Sequence, residues 1–170
     1  WISYPSRDPK IRQESYIVNE VVPYIDAHYP TIRSADGRLL LGISKSGNGA
    51  LTLLMRFPHL FGRAAAWDAP LMFDHIHQVP EADLVSIFET EAYFREHYYF
   101  PSLIRKNAAM FQQGPPRMII LGYGDLKKQI EQAHSLMTSL GVVHIYDNRI
   151  QHEHKWQSGW FPQAVRYLLE

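Results

Sequence analysis

Leu39-Leu40-Leu41-Gly42-Ile43-Ser44-Lys45-Ser46-Gly47-Asn48-Gly49-Ala50-Leu51 decides how the chain is read. The run Leu39–Leu41 is apolar without alternation, which predicts a strand covered on both faces. Gly42 permits a sharp turn, and Ser46, Gly47, Gly49 and Ala50 keep the start of the next element free of bulk. A strand, a tight turn and a helix packed close behind would lift the Ser44 hydroxyl above the sheet edge. The backbone N–H of Lys45 and the positive end of the helix would then face any negative charge developing there. Those are the needs of an acyl-transfer nucleophile. The pattern G-x-S-x-G is met except at its last position, where Ser46 stands in place of glycine as another small residue. The competing reading is an ordinary strand-to-helix turn with Ser44 as its N-cap.

Around this stretch the chain reads as one domain over residues 1–170, long enough for a real core. Its 46% apolar and 20% charged residues are those of an ordinary globular protein, and a formal net charge of zero offers no face for nucleic acid or an anionic membrane. No apolar run approaches a membrane span. The absence of cysteine removes disulfides, thiolate metal sites and a cysteine nucleophile together. The opening Trp1-Ile2-Ser3-Tyr4-Pro5 has neither Met nor a signal-peptide shape, and reads as the start of a segment cut from something longer.

In chain order, residues Trp1 to Lys10 read as a polar loop. Ile17, Val18, Val21, Val22 and Ile25 recur at helical spacing within a helix from about Ile11 to Tyr29, which Pro23 should kink. Strands are predicted at Leu39–Ile43, Arg63–Asp68, Met118–Leu121 and Val142–Tyr146. Residues 71–113 read as a helical insert over the sheet end, rich in Phe and Tyr, with helices near Ala82–His97 and Pro101–Phe111. Its aromatic residues line a pocket or simply pack on the sheet. A helix presenting Ile130, Ala133, Met137 and Leu140 ends at Gly141, and a last helix from about Ser158 turns Phe161, Val165 and Leu168 inward. Alternating strands and helices predict an α/β fold, a layered sandwich around a mostly parallel sheet.

A serine needs a base, and the base needs an orienting carboxylate. At the carboxyl ends of parallel strands, where such groups collect, two carboxylates qualify. Asp125 follows Met118–Leu121 on the loop Gly122-Tyr123-Gly124 and is preferred, its other reading being an N-cap; Asp68, which ends Arg63–Asp68, is the alternative acid. For the base, His152-Glu153-His154 lies between the last strand and the last helix, and His154 is preferred over His152. His28, His59, His97, His134 and His144 fall on helices, helix ends or a strand and read as surface or satisfied histidines. His75-Ile76-His77 and His152-Glu153-His154 form two H-x-H pairs without a third ligand placed beside them, so neither a metal nor a cofactor is expected.

With these pieces in place the chain resembles the Putative esterase branch of the α/β hydrolases, which includes esterase-D-like, S-formylglutathione-hydrolase-like and feruloyl-esterase-like proteins. The resemblance rests on Gly42–Leu51 followed by Arg56-Phe57-Pro58-His59-Leu60-Phe61. Further matches are Val22-Pro23-Tyr24-Ile25-Asp26-Ala27-His28-Tyr29-Pro30 before it and His154-Lys155-Trp156 near the end. It implies an α/β-hydrolase-like three-layer sandwich, with Ser44 as nucleophile, His154 as base, Asp125 as acid and Lys45 N–H in the oxyanion hole. It also implies strands before the first helix that this sequence does not carry. An N-terminally truncated domain is therefore expected, with Leu39–Ile43 as an exposed apolar edge prone to pair with another copy. One oxyanion donor, worth roughly 100- to 1000-fold in rate, is expected to be missing. The expected activity is hydrolysis of small-molecule carboxylic esters through an acyl-enzyme. The alternatives are an acyltransferase of the same fold and a non-catalytic binding relative.

Overall fold

The computed structural model describes residues 12–74, 88, 90–122, 124–149 and 151–170. The loop at residues 1–10, His75, His77 and the first part of the helix expected at 82–97 lie outside these. In chain order come α1 (Gln13–Tyr16), a π-helical turn (Ile17–Val21), α2 (Val22–His28), β1 (Leu39–Ile43), α3 (Lys45–Arg56) and β2 (Arg63–Trp67). After them come α4 (Glu91–His97), α5 (Phe100–Asn107), β3 (Met118–Leu121), α6 (Lys127–Ser139), β4 (His144–Asp147) and α7 (Trp160–Leu169). The four strands lie side by side in the order β1-β2-β3-β4, every pair parallel. This is the expected α/β sandwich, and all four carboxyl ends open on one side.

The period of two along the strands divides the core between the faces of the sheet. Ala64 and Ala66 of β2, with Met118 and Ile120 of β3, join α3, α5 and α6 in the larger core. Ala65, Trp67, Ile119 and Leu121 point the other way and meet Trp160, Ala164 and Leu168 of α7. The alanines of β2 let α3 lie close, and that helix is buried nearly all round, with Leu51 and Leu54 fully enclosed. The indoles of Trp67 and Trp160 stack at 5.8 Å between centroids, which joins the end of β2 to the start of α7.

Three local expectations change. Pro23 does not lie inside one regular α-helix. The π turn before it places the Val22 N–H on Ile17 O, five residues back, and Pro23 then falls in the first turn of α2, where its missing N–H costs little. β4 begins at His144 rather than Val142, because Val142 N–H closes the end of α6 on Met137 O and Val143 N–H goes to Phe111 O. On α7 the buried residues are Trp160, Ala164 and Leu168, while Phe161 is exposed. Trp160 and Phe161 are adjacent and so about 100° apart on the helix, and the stack on Trp67 selects the first.

Of the histidines read as surface or satisfied, His59 is exposed, and the others have partners, His97 on Glu96. His28 Nδ1 contacts Tyr24 O, and the His134 and His144 rings are hydrogen-bonded to one another at 2.8 Å, with His144 Nδ1 on Val142 O. A buried Glu14 holds Arg56 through Nε and Nη2 and ties α1 to the end of α3. Among the described residues β1 pairs on one side only, with β2, and no helix is long and apolar enough to cross a membrane.

Candidate active site

Ser44 sits at the carboxyl end of β1 with φ 55° and ψ −127°, outside the wells open to L residues. The turn around it imposes this. Ser44 N–H donates to Trp67 O of β2 at 2.9 Å, and one residue later the chain is already helical, with Ser44 O accepting from Gly47 N–H and Asn48 N–H. Gly42 is what lets helix and strand come so close. A Cβ there would lie 2.2 Å from the backbone carbonyl carbon and oxygen of Ser46, which cannot yield. Lys45 opens α3, so its N–H has no carbonyl of the helix behind it.

His154 and Ser44 line one cavity of about 470 Å³, with Lys45, Lys155, Trp156 and Gln13 around them. The loop between β4 and α7 brings His154 there, and its Nδ1 stands 2.6 Å from Asp68 Oδ2. Asp68 is wholly buried, and its second carboxylate oxygen accepts the N–H of Leu126 at 2.9 Å. Its own N–H extends the sheet by donating to Leu121 O, at φ 41°, a conformation aspartate tolerates better than most residues. With Nδ1 engaged by the carboxylate, Nε2 is left as the proton-accepting nitrogen of the neutral ring.

Asp68, the alternative acid of the sequence reading, is thus the carboxylate beside His154. Asp125, the preferred one, is exposed and, among the described residues, has no hydrogen bond to a histidine. Nor does it cap α6, which starts at Lys127 after Leu126. Its loop serves Asp68 in another way, through the Leu126 amide and through Gly124. A Cβ on Gly124 would lie 2.1 Å from Asp68 Oδ2, so the loop leaves room for the carboxylate only because this residue has no side chain. The His152 ring meets Trp67 in a T-shaped contact, 5.6 Å between centroids. Among the described residues no three His, Asp or Glu groups converge as metal ligands.

Residues 5–113, more than half of the chain, match the family described as "Putative esterase". The chain belongs to that family. Among curated proteins no sequence matches. Solved structures are similar in fold. A ferulic acid esterase superposes with a TM-score of 0.72 at 17% identity, over 99% of this chain and 63% of that one. The fluorophosphonate-binding serine hydrolase F of Staphylococcus aureus gives 0.72 at 15%, over 90% of this chain and 62% of that one. An S-formylglutathione hydrolase of Agrobacterium tumefaciens gives 0.69 at 18%, over 92% and 56%. The fold is therefore that of the α/β hydrolases, and the chain spans less than two thirds of the length of these structures.

In this Putative esterase chain the loop carrying His154 is held by groups that no motif marks. Asp147, buried at the end of β4, accepts from Arg149 N–H, Nε and Nη2, from the Tyr167 hydroxyl and from Gln163 Nε2. One carboxylate thereby joins the last strand, the departing loop and α7. Further along, Ser158 Oγ donates to the carbonyls of Glu153 and Lys155, and Trp160 Nε1 reaches Lys155 O. The signal available in sequence was only that Asp147, Arg149, Gln163 and Tyr167 flank the histidine loop.

Hydrogen bonds from Arg149 and Tyr167 hold the Asp147 carboxyl far below the ordinary carboxylate range, against the opposing effect of burial. The unfolded chain binds this proton first as pH falls, so the contribution of Asp147 is complete above about pH 4 and is lost below it. Urea midpoints between pH 6 and 3 are expected to fall more steeply for the natural chain than for Asp147→Asn. Equal slopes would contradict the assignment.

Proposed function

We propose that the protein is a serine esterase that hydrolyses small-molecule carboxylic esters through an acyl-enzyme. The observation that carries this reading is the buried Asp68 carboxylate on His154 Nδ1, with His154 sharing a cavity with a serine in a strained strand-to-helix turn. Family membership supports the chemistry at the level of esterases.

In this reading His154 Nε2 removes the Ser44 hydroxyl proton as Oγ attacks the ester carbonyl carbon. The carbonyl oxygen gathers negative charge, met by the Lys45 N–H at the head of α3. Asp68 keeps the proton on Nδ1 and stabilises the imidazolium. Collapse expels the alcohol, which takes the proton from Nε2 and leaves an acyl-Ser44. Water, deprotonated by the same nitrogen, releases the acid and restores the serine.

A fluorophosphonate probe with mapping of the labelled peptide tests this. Label is expected on Ser44 and is lost in Ser44→Ala. A folded protein that takes no label at Ser44 would instead be a non-catalytic relative, and the proposal would fail.

A further inference from the structure

Serine replaces glycine at position 46 of the elbow, and its hydroxyl is engaged twice. Ser46 Oγ donates to Ile43 O at 2.7 Å and accepts from Ile43 N–H at 3.0 Å. Both partners belong to the last residue of β1, one step before Ser44. Ser44 N–H points to β2, where it meets Trp67 O. Successive residues of a strand turn their polar groups to opposite sides, so those of Ile43 face away from β2. Among the described residues no strand lies on that side, and an unpartnered N–H and C=O there would be left to solvent or to a neighbour.

We infer that Ser46 is a positioning residue, whose hydroxyl clamps the end of β1 to the first turn of α3 and so holds Ser44 in its strained conformation. Four residues, Ile43 to Ser46, close into a ring through one side chain. The geometry within that ring sets where Ser44 Oγ and the Lys45 N–H stand relative to one another. Glycine at position 46 would satisfy the packing but not the two backbone groups. A second consequence concerns the outer edge. A strand laid along β1 finds the polar groups of Ile43 already used and can pair only as far as Leu41. The opening beside Ser44 therefore stays clear of a hydrogen-bonded ladder.

The inference rests on Ser44 as nucleophile, and its test separates the two. The rate of fluorophosphonate labelling at Ser44 and the hydrogen exchange of the Ile43 amide are compared in the natural protein, Ser46→Ala and Ser46→Thr. Alanine is well suited to a first helical turn, and threonine keeps the hydroxyl. Ser46→Ala is expected to label about tenfold more slowly and to exchange the Ile43 amide about tenfold faster, the size of one lost hydrogen bond, while Ser46→Thr stays within about twofold of the natural protein in both. Unchanged exchange in Ser46→Ala would overturn the clamp. Faster exchange with unchanged labelling would overturn its positioning role. If the natural protein takes no label, the nucleophile reading fails and the positioning role fails with it, while Ile43 exchange still decides whether the clamp exists. Should Ser46→Ala fail to fold, an unprotected Ile43 amide in the natural protein would by itself overturn the clamp.

Discussion

Replacing Asp68 by asparagine is expected to lower kcat for ester hydrolysis by about 1,000- to 10,000-fold with little change in KM, whereas Asp125→Asn stays within about threefold. The carboxylate of Asp68 accepts two donors, one on each oxygen, from His154 Nδ1 and Leu126 N–H. An asparagine has a single oxygen for both. If its oxygen stays on Leu126, its NH2 faces His154 and drives the ring proton to Nε2, which disables the base. If it turns to His154, its NH2 faces the Leu126 N–H, which loses its acceptor, and the negative charge that steadies the imidazolium is still gone. Asp125 is exposed, and its loss removes neither contact. Steady-state kinetics of the two variants decides the matter. An Asp125→Asn protein that loses activity while Asp68→Asn keeps it would reverse the assignment.

Ser44→Gly is expected to abolish esterase activity, by about 10,000-fold or more, and yet to raise stability by about 1 kcal/mol. At φ 55° and ψ −127° a side chain is strained by about 1–3 kcal/mol. Glycine adopts that conformation freely but returns about 0.5–1 kcal/mol through the greater freedom of its unfolded state. The balance favours the variant. Urea denaturation followed by tryptophan fluorescence, alongside an ester assay, reads both quantities. A Ser44→Gly protein less stable than the natural one would show that the turn carries no strain at this residue. Retained hydrolysis would show that Ser44 is not the nucleophile.

Together these outcomes would describe a site that holds its proposed nucleophile at a cost in stability, offset by the packing behind it. Helix α3 is buried nearly all round, β2 buries alanines on both faces and Trp67 on one, and Asp147 ties the histidine loop to α7. The strained residue persists because its neighbours leave the chain no other path.

Much of this was legible in the order of residues. An apolar run without alternation followed by closely spaced small residues specifies a covered strand and a helix packed against it, because both depend on local period and local bulk. The strands β1 to β3 and helix α6 stand where those patterns place them, and Ser44 lies at the turn between strand and helix for the same reason. What local pattern could not carry was any choice between groups equivalent along the chain. Asp68 and Asp125 both follow a parallel strand at its carboxyl end, but β2 lies next to β1, and Asp68 alone turns into the space that Gly124 leaves open. Phe161 and Trp160 are equally apolar, and only the stack on Trp67 selects between them. Ser46 looks like a tolerated substitute for glycine until the structure shows its hydroxyl on the Ile43 N–H and C=O, which face away from β2. Sequence alone determined the strands β1 to β3, helix α6 and the serine at the turn, which nearest-neighbour sterics and hydrophobic period dictate. Tertiary structure alone decided which carboxylate meets His154 and how the loop is held, because hydrogen bonds between groups 86 residues apart depend on the packing of strands and helices rather than on spacing in the chain.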